Sequence, residues 1–201
     1  MAFVQSALLA TGTFLAILWF FAQIPRLIGQ WRAKDLERFS TRHLLLIHTA
    51  NLIWMLYAVR LWDFDWFLPN VLQALVSFGH WILVHLLLRN HTTFLARYVM
   101  SVPIVVLTLW RVLPLSLLSL SAALIEVMAQ GTYVRSAATM RTQGVVDTQS
   151  LSLKTAQSLV WAGFGYMKQD WTIVGAFGLG AAMTSVELLA QKLVSPARKQ
   201  R

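Results

Sequence analysis

Seven long apolar stretches alternate with short polar segments along this 201-residue chain. An α-helix needs roughly 20 predominantly apolar residues to cross the hydrocarbon core of a bilayer, and each stretch is close to that length. The stretch at 150–167 is the shortest and the most polar. The pattern predicts an all-α membrane protein with seven transmembrane helices, at residues 4–30, 43–59, 66–88, 94–113, 115–137, 150–167 and 171–193.

Composition narrows the class of protein further. Hydrophobic residues make up 57% of the chain and charged residues 12%, with a mean hydropathy of +0.60, whereas soluble domains carry about 25% charged residues. The net charge of +9 would suggest nucleic-acid binding in a soluble protein. Here the basic residues cluster in loops between apolar stretches, as positively charged cytoplasmic loops do, so we expect no nucleic-acid partner.

The chain also lacks the patterns of an enzyme. It has no cysteine, no nucleophile motif, no phosphate-binding glycine loop and no His or Asp cluster with metal-ligand spacing. We therefore expect neither catalysis nor a cofactor nor a metal site.

The distribution of Lys and Arg predicts the orientation. If the N-terminus lies outside, most basic residues fall on the cytoplasmic side, among them Arg32, Lys34, Arg38, Arg141, Lys154 and Arg198. This matches the excess of Lys and Arg in cytoplasmic loops of membrane proteins. We expect a multi-pass protein, in the cell membrane first, with its C-terminus in the cytoplasm.

A second pattern is an internal repeat. Shifting the sequence by one constant offset aligns Gln23 with Gln130. Without a gap, the same offset aligns Trp54 with Trp161, Tyr57 with Phe164, and Asp63 with Asp170. Three helices leave the chain on the opposite face of the membrane, so a second triplet in the same orientation needs one return crossing. The repeat predicts a 3+1+3 arrangement of two parallel three-helix repeats, at 1–90 and 115–194, joined by a linker helix at 91–114 and followed by a basic tail at 195–201.

Several short motifs carry a family resemblance. In chain order they are Pro25, the Arg32-x-Lys34 pair with Phe39-Ser40, Trp54-x-x-Tyr57, and Pro69-Asn70. Together they resemble the PQ-loop clan, and within it the SWEET sugar transporters and their half-size bacterial relatives. The departures are Arg26 in place of the motif glutamine, Thr132 in place of the second proline, and Phe177 in place of the second asparagine.

The resemblance implies a substrate pocket at Trp54, Asn70, Trp161 and Phe177. An indole face packs well against the C–H face of a sugar ring, and an amide bonds hydroxyls. The alternatives are an interfacial aromatic belt for the tryptophans and a helix cap or interhelical bond for Asn70. Four further tryptophans are predicted to form such a belt, namely Trp62, Trp66, Trp110 and Trp171.

Other positions are candidates for movement rather than binding. Pro25 removes a helical hydrogen bond and predicts a hinge. Gln23 and Gln130 lie at matching depths, where they can bond each other or the freed backbone. The candidate hinge and gating residues are Gln23, Pro25, Gln130, Thr132 and Tyr57.

Charged groups inside the apolar stretches form the last set. An ionised carboxylate at mid-membrane costs on the order of 3 kcal/mol, so Glu126 and Glu187 are unusual. They are candidates for proton coupling, together with His80, which the repeat aligns with Glu187. The alternative is a buried carboxylate paired with a cation.

These features favour a facilitative carrier of a small polar solute, a mono- or disaccharide first, that works by alternating access. The alternatives are a proton-coupled carrier of amino acids and a non-transporting receptor or scaffold. The expected partners are the small-molecule substrate and the lipid bilayer, with a homo-oligomer as a candidate assembly.

Overall fold

Helices occupy the predicted apolar stretches in the computed structural model, which describes residues 2–32, 41–88, 102–104, 106–142 and 147–198. Everything regular in these ranges is α-helical, so the predicted all-α fold is confirmed. Residues 94–101 and 105 of the predicted fourth span lie outside the described residues. The helices are α1 (Ala2–Arg32), α2 (Thr41–Leu61), α3 (Phe64–Leu88), α4 (helical residues 106–112), α5 (Leu115–Thr142), α6 (Thr148–Lys168) and α7 (Trp171–Arg198).

The surface is more apolar than a soluble protein requires, and the interior is more polar. Phe14, Phe21 and Leu124 are exposed, while Gln130, Gln157 and other polar side chains are buried. Three of the described helices are long and apolar enough to cross a membrane, over Phe3–Ile24, Leu115–Arg141 and Trp171–Leu193. An apolar outside around a polar inside is the arrangement expected of a protein whose solvent is lipid.

Two turns of the chain are built alike and lie at equivalent positions of the repeat. The α2–α3 turn passes through Trp62 with a φ of 54°, and the α6–α7 turn passes through Gln169 with a φ of 56°. In each, the residue after this left-handed position donates its backbone N–H to a carbonyl five residues earlier, at 3.0 Å for Asp63 and 2.9 Å for Asp170. A left-handed residue after a helix end is a common C-terminal cap, and it reverses the chain here.

The same aspartates begin the next helices. Asp63 Oδ1 accepts from Trp66 N at 3.1 Å, and Asp170 Oδ1 accepts from Ile173 N at 3.2 Å. Aspartate is a strong N-cap because its carboxylate satisfies an unpaired N–H of the first turn. The alignment of Asp63 with Asp170 in the repeat is thus explained by one turn geometry used twice.

The helices pack in the same order in both halves. In the first half α3 packs against both α1 and α2, and in the second half α7 packs against both α5 and α6. Between the halves, α1 packs against α6 and α2 against α5. Exchanging the two triplets, so that α1 replaces α5, α2 replaces α6 and α3 replaces α7, carries each of these contacts into another of the set.

Candidate solute pathway

Three of the four predicted binding residues, Trp54, Trp161 and Phe177, lie together near one end of the interface between the triplets. We call this end, where the α2–α3 and α6–α7 turns lie, the turn end. Trp54 and Trp161 are buried on α2 and α6, and both contact Phe177 on α7, with ring centroids 6.5 and 6.2 Å apart. At a rise of about 1.5 Å per residue, Trp161 lies about 10 Å along α6 from Lys168.

Trp66 also belongs to this group, and its predicted place in an interfacial belt is wrong. Only 2% of Trp66 is exposed, whereas Trp62 is 81% exposed. Trp66 stacks on Phe164 at 4.9 Å and meets Trp161 edge-on at 5.0 Å. We call these residues the aromatic cluster, consisting of Trp54, Trp66, Trp161, Phe164 and Phe177.

A glycine lets the cluster reach the neighbouring triplet. A Cβ atom on Gly12 of α1 would lie 3.0 Å from Trp161 Cε2. Since such a contact is tighter than side chains ordinarily make, glycine at this position allows the indole to lie against the α1 backbone.

Asn70 is buried beside the aromatic cluster, but its amide is used within its own helix. Asn70 Nδ2 donates to the backbone carbonyl of Trp66 at 2.6 Å. Pro69, which lies inside α3, has no N–H to donate, so it frees the carbonyl of Asp65. The amide thus reinforces α3 where the proline weakens it, and a role of Asn70 in substrate contact stays a prediction.

Two bonds cross between the triplets at the turn end. Tyr57 Oη donates to Asp170 Oδ2 at 2.8 Å, and Lys168 Nζ lies 2.7 Å from Asp63 Oδ2. Each aspartate therefore caps its own helix with one oxygen and holds the opposite triplet with the other. We call these four residues the turn-end latch. Tyr57 was predicted as a gating residue, whereas Lys168 and the two aspartates were not predicted to act.

A buried network, which we call the polar layer, lies deeper in the interface. Lys154 Nζ is 3.5 Å from Glu126 Oε1 and 3.2 Å from Gln157 Oε1. Glu126 also accepts from Gln130 Nε2 at 2.9 Å, and Gln157 Nε2 reaches Gln73 Oε1 of the first triplet at 3.4 Å. Lys154 lies about 21 Å along α6 from Lys168, and Glu126 about 16 Å along α5 from Leu115.

Lys154, like Gln157 and Gln73, is a residue of this layer that sequence reasoning missed. Its place near the cytoplasmic end of a short polar span made it resemble an anchoring charge. A signal was present, since Lys154, Gln157, Ser158 and Trp161 follow the spacing of one helix face, and Trp161 was already a candidate.

The predicted glutamine pair is divided between two environments. Gln130 bonds Glu126, accepts from Ser158 Oγ at 3.4 Å, and lies where Gly180 of α7 has no side chain. Gln23 is buried, and its Nε2 has no hydrogen-bond partner among the described residues. The two glutamines do not bond each other.

The candidate hinges do not interrupt the helices. Helix α1 continues through position 25 to Arg32, and the side chain of Pro25 lies outside the described residues. Thr132, at the equivalent place in α5, donates its hydroxyl to the carbonyl of Ala129 at 2.7 Å. A hinge at either position stays a prediction.

The remaining coupling candidates lie toward the end opposite the latch. Glu187 accepts from Arg141 Nε at 2.9 Å and from Gln191 Nε2 at 3.2 Å, which is the paired arrangement given above as the alternative. His80 packs against Phe20, with ring centroids 6.0 Å apart. Between these groups and the polar layer, Trp19 of α1 packs against Tyr133 of α5 at 5.3 Å.

Comparison with known proteins gives a match in fold rather than in sequence. No family model matches the chain, and no curated protein sequence matches it. A solved structure of a eukaryotic SWEET transporter superposes with a TM-score of 0.78, covering 96% of this chain and 98% of the other at 14% identity. The chain has the SWEET fold. The resemblance inferred from the sequence motifs is thereby confirmed at the level of the fold.

Within the SWEET fold, the three sets of residues form successive levels of one interface. The turn-end latch lies at the end, the aromatic cluster below it, and the polar layer near mid-depth. All three are built from both triplets. An apolar crevice of about 310 Å³ lies apart from these levels, between α2, α3 and residues 102–103. Met55 and Phe78 line it, and none of the predicted site residues in the described part of the chain does.

Proposed function

We infer that this protein is a membrane carrier that moves a small polar solute by alternating access, with the two triplets rocking about the interface between them. The observation that carries the inference is the turn-end latch above a buried polar layer, in a chain with the SWEET fold. A latch made of only two cross-triplet bonds can open and close, and a polar interior inside an apolar exterior gives a solute a route through lipid.

The membrane arrangement follows from the charge distribution. The carrier lies in the cell membrane with the turn end outside, the N-terminus outside and the C-terminus in the cytoplasm. Its repeats are residues 1–90 and 115–194, joined by the linker at 91–114. The identical bonds of the two turns support this division.

A mono- or disaccharide is the first substrate class to test. Trp54 and Trp161 offer indole faces for C–H packing, Phe177 lies between them, and Asn70 adds an amide nearby. The sugar would enter by separating aromatic side chains that contact one another in this state. Transport that needs no gradient fits this mechanism.

The test is uptake of labelled glucose and sucrose into proteoliposomes of the purified chain. Trp54→Ala is expected to lower the uptake rate at least tenfold, because it removes an aromatic wall of the pathway. The matched control is Trp62→Ala, which removes the same side chain from an exposed position two helical turns further along the chain. Equal losses in both variants, or no uptake of any polar solute by the unmodified chain, would contradict the proposal.

A second candidate is a proton-coupled carrier of amino acids, favoured by the buried carboxylate of Glu126 beside Lys154. Here Glu126 carries the proton, with Glu187 and His80 as further candidates. An imposed pH gradient would then drive accumulation of the amino acid in the proteoliposomes, and Glu126→Gln would abolish this gradient-driven accumulation. A transport rate that ignores the gradient excludes this candidate and leaves the facilitative carrier.

A further inference from the structure

The charge pair of the polar layer is loosely held. Lys154 is only 1% exposed, and its ammonium lies 3.5 Å from Glu126 Oε1 and 4.6 Å from the centre of the Trp19 ring. Direct hydrogen bonds between an ammonium and a carboxylate are about 2.7–2.9 Å long. The pair therefore stabilises both charges against burial without a short bond between them, and a better partner can separate them.

The repeat shows that this interface does not need charges for its packing. At the repeat offset, Glu126 corresponds to Trp19 and Lys154 to Ile47, both of which are buried apolar residues. The same helix positions are thus packed without charge in the first triplet. Since two charges at mid-membrane each cost on the order of 3 kcal/mol before pairing, their presence in the second triplet calls for a function.

The first triplet offers hydrogen-bond donors that lack acceptors. Within the described ranges, Gln23 Nε2, Asn51 Nδ2 and Trp19 Nε1 are buried and have no hydrogen-bond partner. Their counterparts in the second triplet are satisfied, since Ser158 donates to Gln130 and Gln130 donates to Glu126. Buried donors are normally bonded, so the first triplet is short of oxygen acceptors in this state.

We propose that Lys154 and Glu126 form a subsite for a zwitterionic solute of the α-amino acid class. The solute carboxylate pairs with the ammonium of Lys154, and the solute ammonium pairs with the carboxylate of Glu126. Both buried charges then stay paired, and a solute oxygen offers an acceptor to the unbonded Nε1 of Trp19, whose ring packs against the Lys154 ammonium. A solute with a single charge leaves one member of the pair unmatched, which is costly in a low-dielectric interior. A neutral sugar leaves the pair closed. The proposal rests on the carrier function and narrows its substrate to one class.

The first experiment uses the unmodified chain in proteoliposomes. Entry of labelled L-alanine is measured against excess unlabelled L-alanine, L-alaninamide, L-lactate or D-glucose. L-alaninamide lacks the carboxylate, and L-lactate lacks the ammonium. L-alanine is expected to compete at least tenfold better than each of the other three. Equal competition by L-lactate or L-alaninamide would overturn the two-charge subsite.

The second experiment removes both charges together, as Lys154→Met with Glu126→Gln, so that neither is left alone. Alanine uptake is expected to fall at least tenfold, while the melting temperature stays within a few degrees of that of the unmodified chain. The control is Lys192→Met, which removes an exposed lysine of α7 and should change neither. Unchanged alanine uptake in the double variant would overturn the subsite.

The result for sugars separates the two proposals. Uptake of glucose or sucrose without uptake of alanine overturns the subsite and leaves the carrier function in place. Uptake of neither class overturns both. Alanine uptake that the double variant loses supports both.

Discussion

At the scale of single residues, two glycines of α6 face different surroundings although they lie two positions apart. A Cβ atom on Gly165 would lie 2.7 Å from Ile173 Cγ2 and 3.0 Å from the backbone nitrogen of Val174. A Cβ atom on Gly163 would meet nothing within 4 Å. Gly165 therefore sets how closely the start of α7 approaches α6, and Gly163 does not.

This difference predicts opposite effects of the same substitution. Gly165→Ala is expected to destabilise the protein by about 1–3 kcal/mol, because the new methyl group overlaps the branched side chain of Ile173 and also meets the backbone nitrogen of Val174. Gly163→Ala is expected to be neutral or to stabilise by up to about 1 kcal/mol, since alanine favours the helix over glycine. Thermal unfolding of the purified variants in detergent measures both. A Gly163→Ala variant that melts as low as Gly165→Ala would contradict this account of the two contacts.

At the scale of elements, each of the paired turns assigns two tasks to one aspartate. Asp63 and Asp170 cap α3 and α7 through Oδ1, and accept a bond from the other triplet through Oδ2. The caps are equivalent, but the latch donors are not: the position equivalent to Lys168 is Leu61, and the position equivalent to Tyr57 is Phe164. The turn is thus a repeated structural unit, and the latch is an unsymmetrical addition to it.

Substitutions of the two aspartates distinguish the contribution of the cap to stability from that of the latch. Asp63→Ala and Asp170→Ala are each expected to lower stability by about 1 kcal/mol or more, since both the cap and the latch bond are lost. Asp63→Asn and Asp170→Asn should lose less, because asparagine caps a helix as well as aspartate does. For a chain of this size, about 1 kcal/mol corresponds to a melting shift of about 2–4 °C. Equal shifts for the alanine and asparagine variants would show that the cap does not contribute.

At the scale of the whole molecule, the latch contributes little free energy, but it lies where the proposed transport cycle requires the triplets to separate. The Lys168–Asp63 pair is partly exposed, and such pairs contribute about 0–1 kcal/mol. The bond from Tyr57 to an ionised carboxylate adds roughly 1.5–3 kcal/mol. Since about 1.4 kcal/mol changes an equilibrium tenfold, removing both bonds should change the share of open molecules markedly.

The chain has no cysteine, so this opening is measurable with a single introduced thiol. Ser158→Cys places a thiol in the buried interior without a large change in volume. Tyr57→Phe and Lys168→Met are then added together, because they remove the latch bonds and keep both caps. An impermeant thiol reagent applied from the turn-end side is expected to label this variant at least five times faster than the Ser158→Cys chain alone. The matched control adds Tyr166→Phe and Lys192→Met, which change exposed side chains of the same types. A latch variant labelled no faster than the control would show that these bonds do not hold the turn end closed.

Much of the fold was readable from the sequence, because hydrophobic length determines where a helix can cross a bilayer. The predicted spans at 43–59 and 171–193 fall within α2 and α7. The predicted fifth span at 115–137 was short, since α5 continues to Thr142 through polar residues that the apolar pattern does not register. The repeat offset was also readable from the sequence. Trp62 and Gln169, which this offset aligns, share the same left-handed backbone conformation.

Partners and burial were decided only in three dimensions. Trp62 and Trp66 are the same residue type four positions apart, yet Trp62 is exposed in the α2–α3 turn and Trp66 lies inside the aromatic cluster. The burial of Trp66 depends on which face of α3 is turned toward Trp161 and Phe164 of α6. From the sequence, Lys154 was interpreted as a cytoplasmic anchoring charge. In the structure its ammonium lies between Trp19 of α1 and Glu126 of α5. Sequence alone determines where helices form and which positions correspond; it does not determine which face of each helix meets which other, since that depends on contacts between residues far apart in the chain.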